Sequence, residues 1–213
     1  LRRSELDDFL ASATEACALA GNELRRSAAL VQRFKQVAVD RASLERRRLD
    51  LAEVVQDADP RLRKGVPVDG VELVLELEAG VVMDSYPGPL EQVVTNLFNN
   101  ALLHGCPPGG PGRIRVSARA DGPVQVCIEV SDDGQGIATD DLPRIFEPFF
   151  TTRRNRGGTG LGLHIVHQIV TEVLGGRVEV RSHCAGAPGD EQTGTCFILH
   201  LPRRGPERPV GTA

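Results

Sequence analysis

The sequence predicts an α+β fold: a mixed sheet backed by helices, preceded by a long helical arm. Three observations predict it. Apolar residues recur at steps of three and four over residues 4–40. They alternate at steps of two in several short segments after residue 70, and further helical patterns separate those segments. With 213 residues and 40% apolar content, the chain can build one well-packed domain plus an appendage.

In the arm, Leu6, Phe9, Leu10, Ala13, Ala16, Ala20, Leu24, Ala28, Val31, Phe34 and Ala38 form one stripe, uninterrupted by proline. Ser4 followed by Asp7 reads as an N-cap with an acidic first turn. So narrow a stripe cannot bury itself, so it should pair with another helix, in this chain or in a second copy, which makes a homodimer through the arm an expectation. Arg46-Arg47-Arg48 reads as a solvated helix end. A short apolar run at Leu49, Leu51, Val54 and Val55 follows, and Asp59-Pro60 ends it.

Residues 71–77 alternate as a strand, and 81–83 suggest a second. Pro87 and Pro89 precede a helix over 90–103. Residues 114–119 and 124–130 form a hairpin around Asp121-Gly122-Pro123. A helix over 161–173, a strand over 177–182 and a last strand over 195–201 complete the domain. The chain thus divides into a helical arm over 1–50, a domain over 51–203 and a tail over 204–213. The chain is Pro- and Arg-rich from Pro202 onward, and this end is expected to fray.

Composition narrows the function. A formal charge of -4 argues against a nucleic-acid partner. Cys17, Cys106, Cys127, Cys184 and Cys196 are odd in number and match no zinc spacing, so free thiols in a reducing cytoplasm are expected. There is no signal peptide and no bilayer-length apolar run. The chain starts without Met and inside a helical pattern, which suggests a piece of a longer protein whose remainder can carry a membrane anchor.

Chemistry concentrates in four segments. Gly157-Gly158-Thr159-Gly160-Leu161-Gly162-Leu163 runs directly into the helical run from His164 to Val170. A glycine-rich bend at a helix start can approach a phosphate closely and point N–H groups at it. Asn96 and Asn100 stand one turn apart on a helix, where asparagine is a poor former. Capping or surface placement accounts for such a pair, and so does a neutral oxygen ligand for Mg²⁺. Asp132-Asp133-Gly134-Gln135-Gly136-Ile137 ends a strand in an acid and two spaced glycines. That suits an ordinary turn, or a carboxylate that accepts a hydrogen bond from an exocyclic amine. Phe146, Phe149 and Phe150 cluster before Thr151-Thr152-Arg153, and are expected to pack in the core and anchor a loop. Residues 154–158 carry no apolar side chain, the composition of a lid. His164 and His167 share a helix face, but no third ligand is in sight, so packing or surface placement is expected.

These four boxes, in this order, closely resemble the catalytic, ATP-binding domain of sensor histidine kinases within the Bergerat-fold ATPase superfamily, over about residues 50–201. The resemblance implies an α/β sandwich with ATP between a helix and a lid. It implies that Asn100 binds Mg²⁺ bridging the phosphates, with Asn96 the other member of the box. Asp132 would bond the adenine amine, Gly134 and Gly136 would flank the base, Ile137, Thr151, Thr152 and Arg153 would be further ATP-binding residues, and Arg153 would open the lid. Gly158, Thr159, Gly160, Leu161, Gly162 and Leu163 would hinge it and meet the phosphates. Many members carry Lys and then an aromatic ring after the asparagine box. Here Leu103 and His104 stand there, so the lysine contact is missing and His104 or Arg153 is left to replace it.

Hydrolases of the superfamily resemble one another in a Glu one turn before the Mg²⁺ asparagine. Here that position is Asn96, which cannot take a proton near neutral pH. The expected activity is therefore phosphoryl transfer to a histidine. The five histidines, His104, His164, His167, His183 and His200, all fall in the ATP-binding region, so the acceptor is expected on a helix outside this chain. The arm resembles the second helix of the dimerising, phosphoacceptor hairpin. The partners implied are that acceptor helix and a response-regulator receiver domain. An inactive nucleotide-binding docking module and an ATP hydrolase are the other readings.

Overall fold

The computed structural model describes residues 45–64, 70–105, 111–152, 159–184 and 193–207. The arm and its pairing, Cys17, Cys106, Arg153 and Gly158 lie outside the described residues.

Among the described residues, seven strands form two sheets. The larger holds β2 (Val71–Leu77), β4 (Gly112–Asp121), β5 (Gln125–Asp132), β6 (Arg177–His183) and β7 (Gly194–Pro202), in the order β2-β4-β5-β7-β6. β2 runs parallel to β4 and every other pair is antiparallel, so the sheet is mixed as expected. The smaller pairs β1 (Arg47–Asp50) with β3 (Val82–Ser85). The helices are α1 (Leu51–Asp57), α2 (Pro60–Lys64), α3 (Pro87–Asn100) and α4 (Gly162–Gln168).

Alternation decides the two faces of the large sheet. Ile114, Val116, Ile128, Val130, Leu199 and Leu201 point inward and pack with Val93, Val94, Leu97 and Phe98 of α3 and Val166 and Val170 beyond the glycine turn. The outer face carries ion pairs between strands: Arg113 with Glu72 at 2.8 Å, Arg115 with Glu76 at 2.7 Å and Arg119 with Glu129 at 3.4 Å. Exposed pairs of this kind contribute little to stability and keep the face wet. Burial pushes the Cys127 thiol up to about 11, so this cysteine fills space rather than reacts.

The helix ends follow local rules. Asp50 caps α1 by accepting from the amides of Ala52 and Glu53. Pro60 starts α2 after the expected break, and the Asp59 carboxylate accepts from Arg61 N at 2.8 Å. Pro87 starts α3, three residues before the expected Leu90, because its fixed φ suits a first helical position. After Asn100 the helix widens into a π turn, Ala101–Gly105. The helix after the glycines ends likewise, α4 passing into a π turn at Ile169–Val173.

Four expectations are corrected. Arg47 and Arg48 belong to a strand, not a helix end, and Leu49 of that strand is buried opposite Met83. The second strand is Val82–Ser85 rather than 81–83. The described tail residues 203–207 do not fray: Asp84 N donates to Arg203 O, Gly205 N to Asp84 O, both at 2.8 Å, and Tyr86 Oη to Pro206 O at 2.6 Å. Phe146 and Phe150 pack on the core, but Phe149 is 55% exposed and holds φ at 66°, a costly conformation for a bulky residue. Phe149 N donates to Gly160 O at 2.8 Å, which fixes that turn against the glycine segment.

Candidate active site

A cavity of about 480 Å³ opens between α3, the end of β5 and the glycine turn. α3 supplies Asn96 and Asn100, and the π turn supplies His104. β5 and the turn beyond it supply Asp132, Gly136 and Ile137, while Thr151, Thr152, Thr159, Gly160, Gly162 and Leu163 form the remaining wall. Twelve of the expected site residues therefore meet in one place. Gly134 and Leu161 are not among the lining residues. Gly134 instead donates its N–H to Asp132 Oδ1 at 3.0 Å, and Leu161 packs on the core.

Gly136 and Gly160 lie where side chains would not fit. A Cβ on Gly136 would fall 2.2 Å from His183 O, and one on Gly160 would fall 2.4 Å from Phe149 C. Both residues have positive φ, 75° and 67°. At Gly162 a Cβ would sit 3.6 Å from Asn96 Oδ1, 3.7 Å from Asn100 Oδ1 and 3.9 Å from Asn100 Nδ2, so the glycine turn faces the two asparagine amides directly. Asn96 Nδ2 donates to Gln92 O at 2.9 Å, which commits its nitrogen to the helix and leaves its oxygen toward that turn.

The titration of Asp132 is shifted by its surroundings. Burial raises its pKa from 3.8 to about 6, against the opposing N–H bonds from Gly134 and Thr195. In the fold it binds more protons than in the unfolded chain between those two values. Its ionisation therefore destabilises the fold as pH rises through about 6. Binding of a ligand amine at Asp132 would have the opposite sign, because only the ionised carboxylate is a pure acceptor. We expect affinity for an adenine nucleotide to rise about tenfold per unit up to about pH 6 and then level off. Calorimetry from about pH 5 to pH 8 checks this, and a flat profile would contradict it.

Sequence reasoning missed Thr195, Phe197, Gln135, Ala138, Asp141, Ile145, Phe150 and Cys184 as lining residues, along with Asn99, Ala101 and Leu103. Thr195 left a trace: it is the polar member of an inward alternation continued by Phe197, Leu199 and Leu201. Its Oγ1 lies 2.9 Å from Ser182 Oγ, which accepts from Ile137 N at 2.8 Å. His164 Nδ1 lies 3.0 Å from Phe146 O, and His167 stacks 5.2 Å from the Phe146 ring. Both histidines therefore brace the phenylalanine turn, and the described residues hold no His, Cys, Asp or Glu cluster able to bind a metal. No described helix is long and apolar enough to cross a membrane.

Residues 86–205, more than half of the chain, match the family model of histidine kinase-, DNA gyrase B- and HSP90-like ATPases. The chain belongs to that family. The Pseudomonas aeruginosa alginate biosynthesis sensor protein KinB is 35% identical over 176 residues, 79% of this chain and 27% of that protein. The Escherichia coli K12 sensor histidine kinase ZraS is 44% identical over 116 residues, 54% of this chain and 22% of that protein. Among solved structures, the mycobacterial sensor histidine kinase MprB superposes with a TM-score of 0.61 at 27% identity, over 76% of this chain and all of that one. Full-length ShkA in complex with AMPPNP gives a TM-score of 0.54 at 26% identity, over 72% of this chain and 30% of that one. Within the family, this chain is thus an ATP-binding catalytic domain of the sensor histidine kinase type. It spans only about a quarter of the length of these curated relatives.

Proposed function

We propose that this domain transfers the γ-phosphoryl group of Mg-ATP to a histidine on a phosphoacceptor helix outside this chain, for onward transfer to a response-regulator receiver domain. The observation that carries it is the meeting of Asp132, Asn100 and the Gly160–Gly162 turn around one cavity, with an amide at Asn96. Asp132 accepts from the adenine amine at one end, with Gly136 and Ile137 against the base. At the other end the turn brings backbone to the phosphates.

The donor set suits Mg²⁺: a neutral amide oxygen at Asn100 and, among the described residues, no acidic cage, since this ion keeps water and phosphate ligands. Asn100 would hold it, and the ion would neutralise phosphate charge. Asn96 presents an acceptor oxygen with negligible basicity, so it can orient an N–H of an incoming imidazole but cannot deprotonate water. That favours transfer over hydrolysis.

Incubation with γ-labelled ATP, with and without a separately supplied phosphoacceptor-helix fragment, tests this. Label should appear on the fragment and not on this chain. Label on the chain itself, or release of free phosphate without transfer, would overturn the reading.

A further inference from the structure

Behind α3 a short polar chain runs from the turn between α1 and α2 to the cavity wall. Asp59 is buried, and Arg61 grips it through Nε at 2.8 Å and one Nη at 2.7 Å. The Arg61 guanidinium holds the Asp59 carboxyl below its usual range. The same Nη donates to Asn99 Oδ1 at 2.9 Å, and the guanidinium lies 4.9 Å over the Phe98 ring. One turn earlier, Thr95 Oγ1 donates to Ala58 O at 2.6 Å, so this flank of α3 is tied down twice.

An arginine carries donors only, so the oxygen of the Asn99 amide must face it. The amide nitrogen then points away from Arg61, and Asn99 lines the cavity. With its oxygen engaged, what Asn99 offers a ligand is a pair of N–H donors, which suits an anion. Asn99 lines the same cavity as Asn96 and Asn100, whose amides face the glycine turn. Leu103, one helical turn further along, is 60% exposed and carries no polar side-chain atom.

We propose that Asn99 is a further phosphate-binding residue, its amide N–H groups aimed at the phosphate oxygens by the Asp59–Arg61 pair. Arg61 is then a positioning residue: it fixes the amide before the ligand arrives and so lowers the ordering cost of binding. The proposal rests on the ATP reading above.

Asn99→Asp tests it, because aspartate keeps an oxygen for Arg61 and removes the donors. Affinity for Mg-AMPPNP, measured by calorimetry, should fall about tenfold or more. Affinity for adenosine, followed by NMR titration, should stay within about twofold, since the base subsite is untouched. In a double-mutant cycle, Arg61→Met should weaken AMPPNP binding in the unaltered chain but not in Asn99→Ala. Unchanged AMPPNP affinity in Asn99→Asp, an equal loss for adenosine, or additive losses in the cycle would each overturn the proposal. Where Arg61→Met fails to fold, Asn99→Asp still decides. If the unaltered chain binds no AMPPNP, the ATP reading itself falls and this proposal with it. A negative result confined to the variants leaves that reading standing.

Discussion

Asp132→Ala is expected to weaken AMPPNP binding about tenfold to a hundredfold, the range for losing one hydrogen bond to a charged group. The carboxylate stands at the end of β5 on the cavity wall, with Oδ1 already fixed by Gly134 N at 3.0 Å. It is therefore aimed before the ligand binds, and it lines the cavity together with Gly136 and Ile137. Because burial disfavours the ionised form, the fold gains nothing from the charge at neutral pH. The substitution should then lower affinity without a matching fall in melting temperature, and it should flatten the pH profile near 6. Calorimetry beside a thermal melt separates the two quantities. Unchanged affinity would remove Asp132 from the base subsite.

Gly136→Ala is expected to have the larger effect on the fold itself, about 2–4 kcal/mol of destabilisation. Two costs combine there. Alanine disfavours φ of 75°, and its Cβ would fall 2.2 Å from His183 O, a backbone atom that cannot swing aside. Either β6 or the turn after β5 must shift. Both hold the cavity floor through Ile137 N and Ser182 Oγ at 2.8 Å, so nucleotide binding should fail as well. Gly80→Ala is the control: φ is again 75°, but a Cβ there meets nothing within 4 Å. It should cost only about 1 kcal/mol. Equal melting temperatures for the two variants would show that the contact at Gly136 is not the constraint described.

Much of the site was legible in the sequence because its chemistry is local. Asn96 and Asn100 share a face because they are one turn apart, and Gly160 and Gly162 sit at a helix start because glycine tolerates that bend. The strands of the large sheet were legible for the same reason, since alternation reports one buried face. What the sequence concealed depends on partners far along the chain. Arg46 reads as part of a basic run, yet its Nη donates to Gly205 O, 159 residues away. Residues 203–207 read as a loose tail because their hydrogen bonds go to β3 and to Tyr86, which no local pattern displays. Phe149 has the composition of core, but the turn that binds Gly160 turns it out to solvent.

The sequence by itself determined the family, the order of the strands' apolar faces and the residues that could serve a nucleotide. Each of these follows from side-chain chemistry at short spacing. Only the tertiary structure decided which of those residues meet. It joined Thr195 of the cavity lining to Ser182, left Gly134 and Leu161 outside that lining, and placed Arg61 where it donates to Asn99. The reason is physical: a hydrogen bond between residues 38 positions apart exists only once α2 has packed against α3, and no periodicity along the chain records that contact.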